Sequence, residues 1–201
     1  MGKGNVFVVS APSGAGKTSL LQAVLTRMPA LALAVSYTTR PQRPAEVVNT
    51  SYRFVSVDEF MTLKASGAFL ESAEVFGHHY ATGREWVMSQ LETGRDVVLE
   101  LDWQGALQVK AQLPDAVLIF IVPPRLEQLA ERLQERGQDD SAVVERRLAA
   151  SKQEIAQGEH FDYVVVNADF SEAVTDICSI FHSYTLQYQR QQSIIADLLD
   201  A

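Results

Sequence analysis

An α/β fold, a P-loop core whose parallel sheet is flanked by helices, is predicted for this chain by two patterns and one motif. Four short runs, NVFVVS ending at Ser10, VVLEL at Val97 to Leu101, VLIFIV at Val117 to Val122 and YVVV at Tyr163 to Val166, are apolar without polar alternation. Such runs read as strands covered on both faces. Segments of ten or more residues with helical patterning separate them, as in doubly wound proteins. The first run leads through the glycine-rich stretch APSGAGKTSL into a helical pattern at Leu20, Leu21, Val24 and Leu25. Two insertions complete the expected single domain: a small α/β lobe at about 36–90 and a helical lid at about 125–154, set into a core of 1–35, 91–124 and 155–201.

The first element carries the clearest chemistry. Gly14, Ala15, Gly16, Lys17 and Thr18 follow a strand and open a helix, the context in which a glycine-rich motif becomes a phosphate site. Glycines let the backbone curl so that several N–H groups face one anion, and the helix N-terminus adds partial positive charge. The loop Ala11, Pro12, Ser13, Gly14, Ala15, Gly16, Lys17, Thr18 and Ser19 is therefore expected to cradle the phosphates of a nucleoside triphosphate. Lys17 would reach the β- and γ-phosphates, and the Thr18 hydroxyl would hold Mg²⁺. Ala11 stands where the full motif has glycine, which an alanine tolerates at negative φ. The loop says nothing about the acceptor.

The lobe follows. Pro41 and Pro44 interrupt short β-prone pieces such as Ser51 to Val55, which is not the pattern of a strand-helix unit. Ser56 to Glu59 and Thr82 to Glu85 both fit the capping box that starts a helix, and Gly67 and Gly94 are placed to end those two helices. Trp86 lies on the apolar side of its helix with Leu91 and is expected in the core, and Trp103 is expected to pack. His78 and His79 are adjacent, so they point apart on any regular element and do not suggest a metal site. The lid is a charged stretch of two helices joined at Gly137 to Asp140, with Arg132, Arg136, Arg146 and Arg147 along it.

Composition limits the alternatives. The 201 residues are 47% hydrophobic and 21% charged, as in an ordinary globular protein, and a domain of that size needs no disulfide or structural metal. Cys178 is the lone cysteine and cannot form an internal bridge, which suits a reducing compartment. No apolar run approaches the roughly 18 residues of a membrane span, so a cytoplasmic protein with no membrane partner is expected. A formal charge of −8 argues against nucleic acid as a partner. Phosphate binding must then rest on local clusters of basic residues.

Arg40 and Arg43 form one such cluster in the proline-stiffened segment Thr38 to Pro44. Arginine forks match phosphate oxygens, although a surface turn with solvated arginines explains the segment equally well on its own. Taken with its neighbours the segment is more specific. Ser36-Tyr37-Thr38-Thr39-Arg40, Arg43-Pro44, Glu46, Tyr52, Phe69-Leu70-Glu71, Tyr80, Asp102-Trp103-Gln104-Gly105, Pro123-Pro124, Arg132 to Gly137, Arg147 and Val165-Val166-Asn167 resemble the guanylate kinase family in order and spacing.

That resemblance runs from Val6 to about Phe181 and implies transfer of the γ-phosphoryl group of MgATP to GMP, or dGMP. It implies that Arg40, Arg43, Tyr52 and Tyr80 bind the GMP phosphate and that Glu46 belongs to the substrate-binding set. Ser36, Glu71, Thr82 and Asp102 would read guanine, Arg132, Arg136 and Arg147 would be lid arginines, and Asn167 would lie at adenine. Lys17, Arg40 and the three lid arginines would carry the transfer. The chemistry agrees: guanine presents N1–H and a 2-amino group side by side, which a carboxylate such as Glu71 can accept together, while O6 needs a donor such as the Ser36 hydroxyl. Adenine would leave that carboxylate facing a lone pair.

Several positions depart from the family pattern. Ala45 and Asn49 stand where glycines are usual, and His79, Ala81, Glu100 and Ala168 replace other frequent residues. Asn49 is tolerant of positive φ, and Glu100 ends a strand where a carboxylate could help place Mg²⁺. Two rivals remain in view. A phosphorylated-sugar kinase on the same scaffold would lack the set Ser36, Glu71 and Asp102, and a non-catalytic binding module would have lost Lys17 and Thr18. The C-terminal segment Ser171 to Leu199, with Ile194, Ile195, Leu198 and Leu199 near its end, could equally supply the interface of a homo-oligomer or a solvated helix.

Overall fold

The computed structural model describes residues 3–44, 46–75, 77–129 and 151–200. The expected parallel sheet is present. It has five strands in the order β2 (Ala32–Leu33), β7 (Val97–Glu100), β1 (Val6–Ser10), β8 (Val117–Val122) and β9 (Tyr163–Val166). Strand β1 lies at its centre, with Val8 opposite Leu99 of β7 on one side and Leu118 of β8 on the other.

The apolar runs lack alternation because both faces of this sheet are covered. Phe7 and Val9 point to a layer formed by α1 (Lys17–Arg27) and α5 (Phe170–Thr185), where they meet Leu20, Leu21, Val24, Ile177 and Phe181. Val6 and Val8 point the other way, to Val87 and Leu91 of α3 (Arg84–Glu92) and Ala106 and Val109 of α4 (Trp103–Gln112). Phe7 meets Phe181 edge-on at 4.6 Å between ring centroids. Trp86 is half-buried against the second layer, and Cys178 is partly buried against the first.

A second sheet stands over the C-terminal ends of these strands. Its order is β4 (Arg53–Phe54), β3 (Tyr37–Thr38), β6 (His78–Gly83), β5 (Phe69–Val75). Phe60 of α2 (Val57–Ala65) packs with Phe69 and Ala81 as a small core of its own, and His79 stacks on Phe60. Ser56 caps α2 by accepting from the Glu59 amide at 3.1 Å. Gly67 (φ 73°) and Gly94 (φ 79°) end α2 and α3, each amide donating back into the last turn.

One expected cap does not form. Gly83 is the N-cap of α3 with no side-chain hydrogen bond, because Thr82 belongs to β6 and pairs across the sheet with Glu71. Strand pairing won over helix capping there. The chain ends in α6 (Tyr188–Leu199), which has no buried residue and is tied to the core through Arg190, 2.9 Å from the Asp96 carboxylate. Among the described residues, no helix is long and apolar enough to cross a membrane.

Candidate active site

The glycine-rich loop leaves β1 at Ser10 and enters α1 at Lys17. Gly14 and Gly16 have φ of 91° and 90°, a region that strains any residue with a Cβ, so glycine is required at both. Ala11 has no such φ and packs against the first core layer. Gly16 caps α1 without a side-chain hydrogen bond, which leaves the first-turn amides turned outward for an anion.

Long-range contacts fix the loop. Lys17 Nζ donates to the Leu101 carbonyl oxygen at 2.6 Å, where β7 ends. Burial lowers the Lys17 pKa, while the carboxylates of Glu100, Asp102 and Glu154 favour its ammonium form. Thr18 Oγ1 donates to Glu100 Oε1 at 2.6 Å, so two hard oxygen donors meet at the mouth of the loop. Asn167, buried at the end of β9, donates from Nδ2 to the Ala15 carbonyl oxygen at 2.8 Å. Its amide supports the loop.

Glu154 is a loop partner for which the sequence held no signal. Its Oε2 accepts from the Ser13 amide at 3.2 Å, although by sequence it belongs to a charged helical stretch that reads as a solvated face. Burial raises its pKa, Ser13 and Lys17 lower it, and Asp102 adds to the rise.

A cavity of about 320 Å³ opens from Lys17 toward the second sheet and is lined by Ser36, Tyr52, Glu71, Tyr80 and Asp102 as well. Hollows of about 750 Å³ at the foot of the main sheet and about 760 Å³ beside Pro123 and Pro124 are larger, but neither is lined by any of these residues. Tyr52 and Tyr80 stand 6.0 Å apart at the cavity wall, with the Arg40 guanidinium 5.4 Å from the Tyr52 ring.

Glu46 lies outside that cavity. Its carboxylate accepts from Arg40 at 2.6 and 3.2 Å and from the Arg43 amide at 2.8 Å, so it orients the arginine segment. The Arg43 side chain is exposed, and Asn49 adopts φ 60°, as its neighbourhood of turns requires. Ala45 and the arginines 132, 136, 146 and 147 lie outside the described residues.

The same cavity wall holds the carboxyl groups of Glu71 and Asp102. Glu71 is 4% exposed, and burial raises its pKa from 4.5 to about 7; the Thr82 hydroxyl and amide oppose the rise and the Asp102 charge adds to it. Thr82 Oγ1 faces that carboxyl short of a formed hydrogen bond and is buried without a partner among the described residues. Asp102 caps α4, its Oδ1 accepting from the Gly105 amide at 2.8 Å. Trp103, next in the chain, is half-buried.

Comparison with known proteins decides the family. The sequence model described as Guanylate kinase matches residues 3–184. The chain belongs to the guanylate kinase family. It is 48% identical to the guanylate kinase of Vibrio parahaemolyticus over 203 residues, covering 100% of this chain and 98% of that protein. It is 45% identical to the guanylate kinase of Coxiella burnetii over 199 residues, covering 99% and 97%. A crystal structure of guanylate kinase from Anaplasma phagocytophilum superposes with a TM-score of 0.78 at 30% identity, covering 94% of this chain and 90% of that one. Within the guanylate kinase family, then, this member joins Glu100 to Thr18 and Asn167 to the loop.

Proposed function

We propose that this chain transfers the γ-phosphoryl group of MgATP to GMP, and to dGMP, giving ADP and GDP in cytoplasmic purine nucleotide metabolism. The observation that carries this reading is one cavity lined both by Lys17 of the phosphate loop and by the carboxyls of Glu71 and Asp102. Triphosphate binding at the loop and base binding at the carboxyls would set donor and acceptor end to end.

Phosphoryl transfer asks the protein for alignment and charge compensation more than for covalent chemistry. Lys17 and the first-turn amides of α1 would take the donor phosphates. Arg40, held by Glu46, together with Arg43, Tyr52 and Tyr80 would take the GMP phosphate, which is already an anionic nucleophile and needs no general base. The lid arginines Arg132, Arg136 and Arg147 would join the phosphates on closure. Among the described residues no group of three or more His, Cys, Asp or Glu could hold a metal. Mg²⁺ binds with most of its waters retained and would be held by Thr18 and Glu100 as its protein-side oxygens. Bound there, it would offset the charge of the donor phosphates.

At the base, Glu71 in its ionised form would accept from N1–H and the 2-amino group, with Thr82, Ser36 and Asp102 completing the edge. Adenine would leave a buried carboxylate unpaired, at a cost of several kcal/mol. A coupled ADP-release assay with GMP, AMP, CMP, UMP and a sugar phosphate tests the reading. GMP should be preferred over AMP by roughly 10³-fold or more in kcat/KM. Equal use of AMP, preference for the sugar phosphate, or phosphopeptide binding without turnover would each overturn it.

A further inference from the structure

Helix α4 touches the acceptor site at more than its first residue. Gly105, three residues after the cap Asp102, is buried, and a Cβ built there would stand 2.9 Å from Glu71 Oε2 and 3.4 Å from Asp102 Oδ1. The two carboxyls therefore share the space above a bare α-carbon. Gly105 is not among the glycines with positive φ, so the backbone does not demand glycine, and alanine favours a helix more than glycine does. What glycine supplies here is the missing methyl.

The same helix face holds the backbone on either side of Glu71. Strand β5 is the outer strand of its sheet, and its open edge meets α4. Gln108 Oε1 accepts from the Ser72 amide and Nε2 donates to the Ser72 carbonyl oxygen, both at 3.1 Å. Gln112 Nε2 donates to the Leu70 carbonyl oxygen at 2.5 Å. Positions 105, 108 and 112 recur every three to four residues, which puts them on one face of the helix. One side-chain amide thus gives Ser72 the donor and acceptor that a neighbouring strand would give, and a second one holds Leu70.

We propose that Gly105 and Gln108 are specificity-determining positioning residues: α4 sets where the Glu71 carboxylate lies relative to Asp102, and the absent Cβ of Gly105 lets that carboxylate sit across the helix where guanine's N1–H and 2-amino group would meet it. This rests on the guanine reading proposed above. Because the crowded atom is the end of a side chain, a methyl at 105 would move the carboxylate and not the fold.

The experiment measures kcat and KM for GMP, IMP and ATP, with thermal melting, on the parent enzyme, Gly105→Ala and Gln108→Ala. Gly105→Ala is expected to melt at or above the parent, to raise the GMP KM about 10-fold or more, and to leave the ATP KM within about twofold. IMP lacks the 2-amino group and should lose less, so the GMP-to-IMP preference should fall at least about fivefold. Gln108→Ala should move the same quantities in the same direction by a smaller factor.

Parent-like GMP constants in Gly105→Ala would overturn the inference, as would equal losses on GMP and IMP or a large fall in melting temperature, either of which would mark a packing role. Equal losses on GMP and IMP in Gln108→Ala would remove Gln108 as a positioning residue. A parent enzyme that fails to prefer GMP over AMP would overturn the guanine reading itself, and that result is read before either variant is made.

Discussion

The side-chain amide of Asn167 donates to the carbonyl oxygen of Ala15 at 2.8 Å, joining residues 152 apart in sequence. The end of β9 thereby holds the crest of the phosphate loop. Gly16 is close by: a Cβ there would stand 2.9 Å from the same amide nitrogen.

Asn167→Ala should lower stability by about 1–3 kcal/mol, since it leaves a buried carbonyl without its donor. The variant should also bind donor nucleotides more weakly through a looser loop. ATP and GTP should suffer by the same factor as donors while the GMP constant stays put. A changed ATP-to-GTP preference would mean that Asn167 touches the base.

Lys17→Ala should lower turnover by roughly 10²-fold or more, because one preorganised cation is lost where charge builds up. The fold should persist, since Lys17 lies at the start of α1 and outside the three apolar clusters. Turnover close to the parent's in a folded variant would sink the site assignment.

Arg43→Ala and Glu46→Gln act on the other pocket by different routes. Arg43→Ala removes an exposed cation that is proposed to take the acceptor phosphate. Glu46→Gln keeps both arginines but removes the charge that holds Arg40 at 2.6 Å. Both should raise the GMP KM and leave the ATP KM unchanged, and the pair combined should lose less than the product of the single effects if they share one phosphate. A raised ATP KM in either would put the segment in the wrong pocket.

The main sheet and the phosphate loop were legible because their signals are local: apolar runs without alternation, and glycines at Gly14 and Gly16 that positive φ demands. Gly67, Gly94 and the Ser56 cap were legible for the same reason. The capping box expected at Thr82 failed because its hydroxyl belongs to β6, and whether a residue pairs across a sheet is not written in its neighbours. Glu46, Glu154 and Asn167 were beyond local reading in the same way. Each takes its role from a partner brought close by the fold, Glu154 from Ser13 across 141 residues.

Glu71 offers the sharpest pH test. Its carboxyl titrates near 7 in the folded protein against an ordinary 4.5, with burial as the main cause. Between those values the folded chain holds a proton that the unfolded chain has released, so stability falls as pH rises through this window. At about 1.4 kcal/mol per pH unit the full effect is on the order of 3 kcal/mol. Glu71→Gln carries no such proton, so its melting temperature should gain on the parent's between pH 5 and pH 8. Base reading runs the other way, because only the ionised carboxylate accepts from both N1–H and the 2-amino group. GMP affinity of the parent, measured by calorimetry, should therefore weaken as pH falls from 8 to 6. Glu71→Gln should bind GMP roughly 10- to 150-fold more weakly at pH 8, the worth of a hydrogen bond to a charged group. It should also show a flatter pH dependence, although its GMP phosphate titrates as before. If parent and variant lose affinity in parallel as pH falls, the titrating group is the phosphate, and base recognition passes to Ser36 and Asp102.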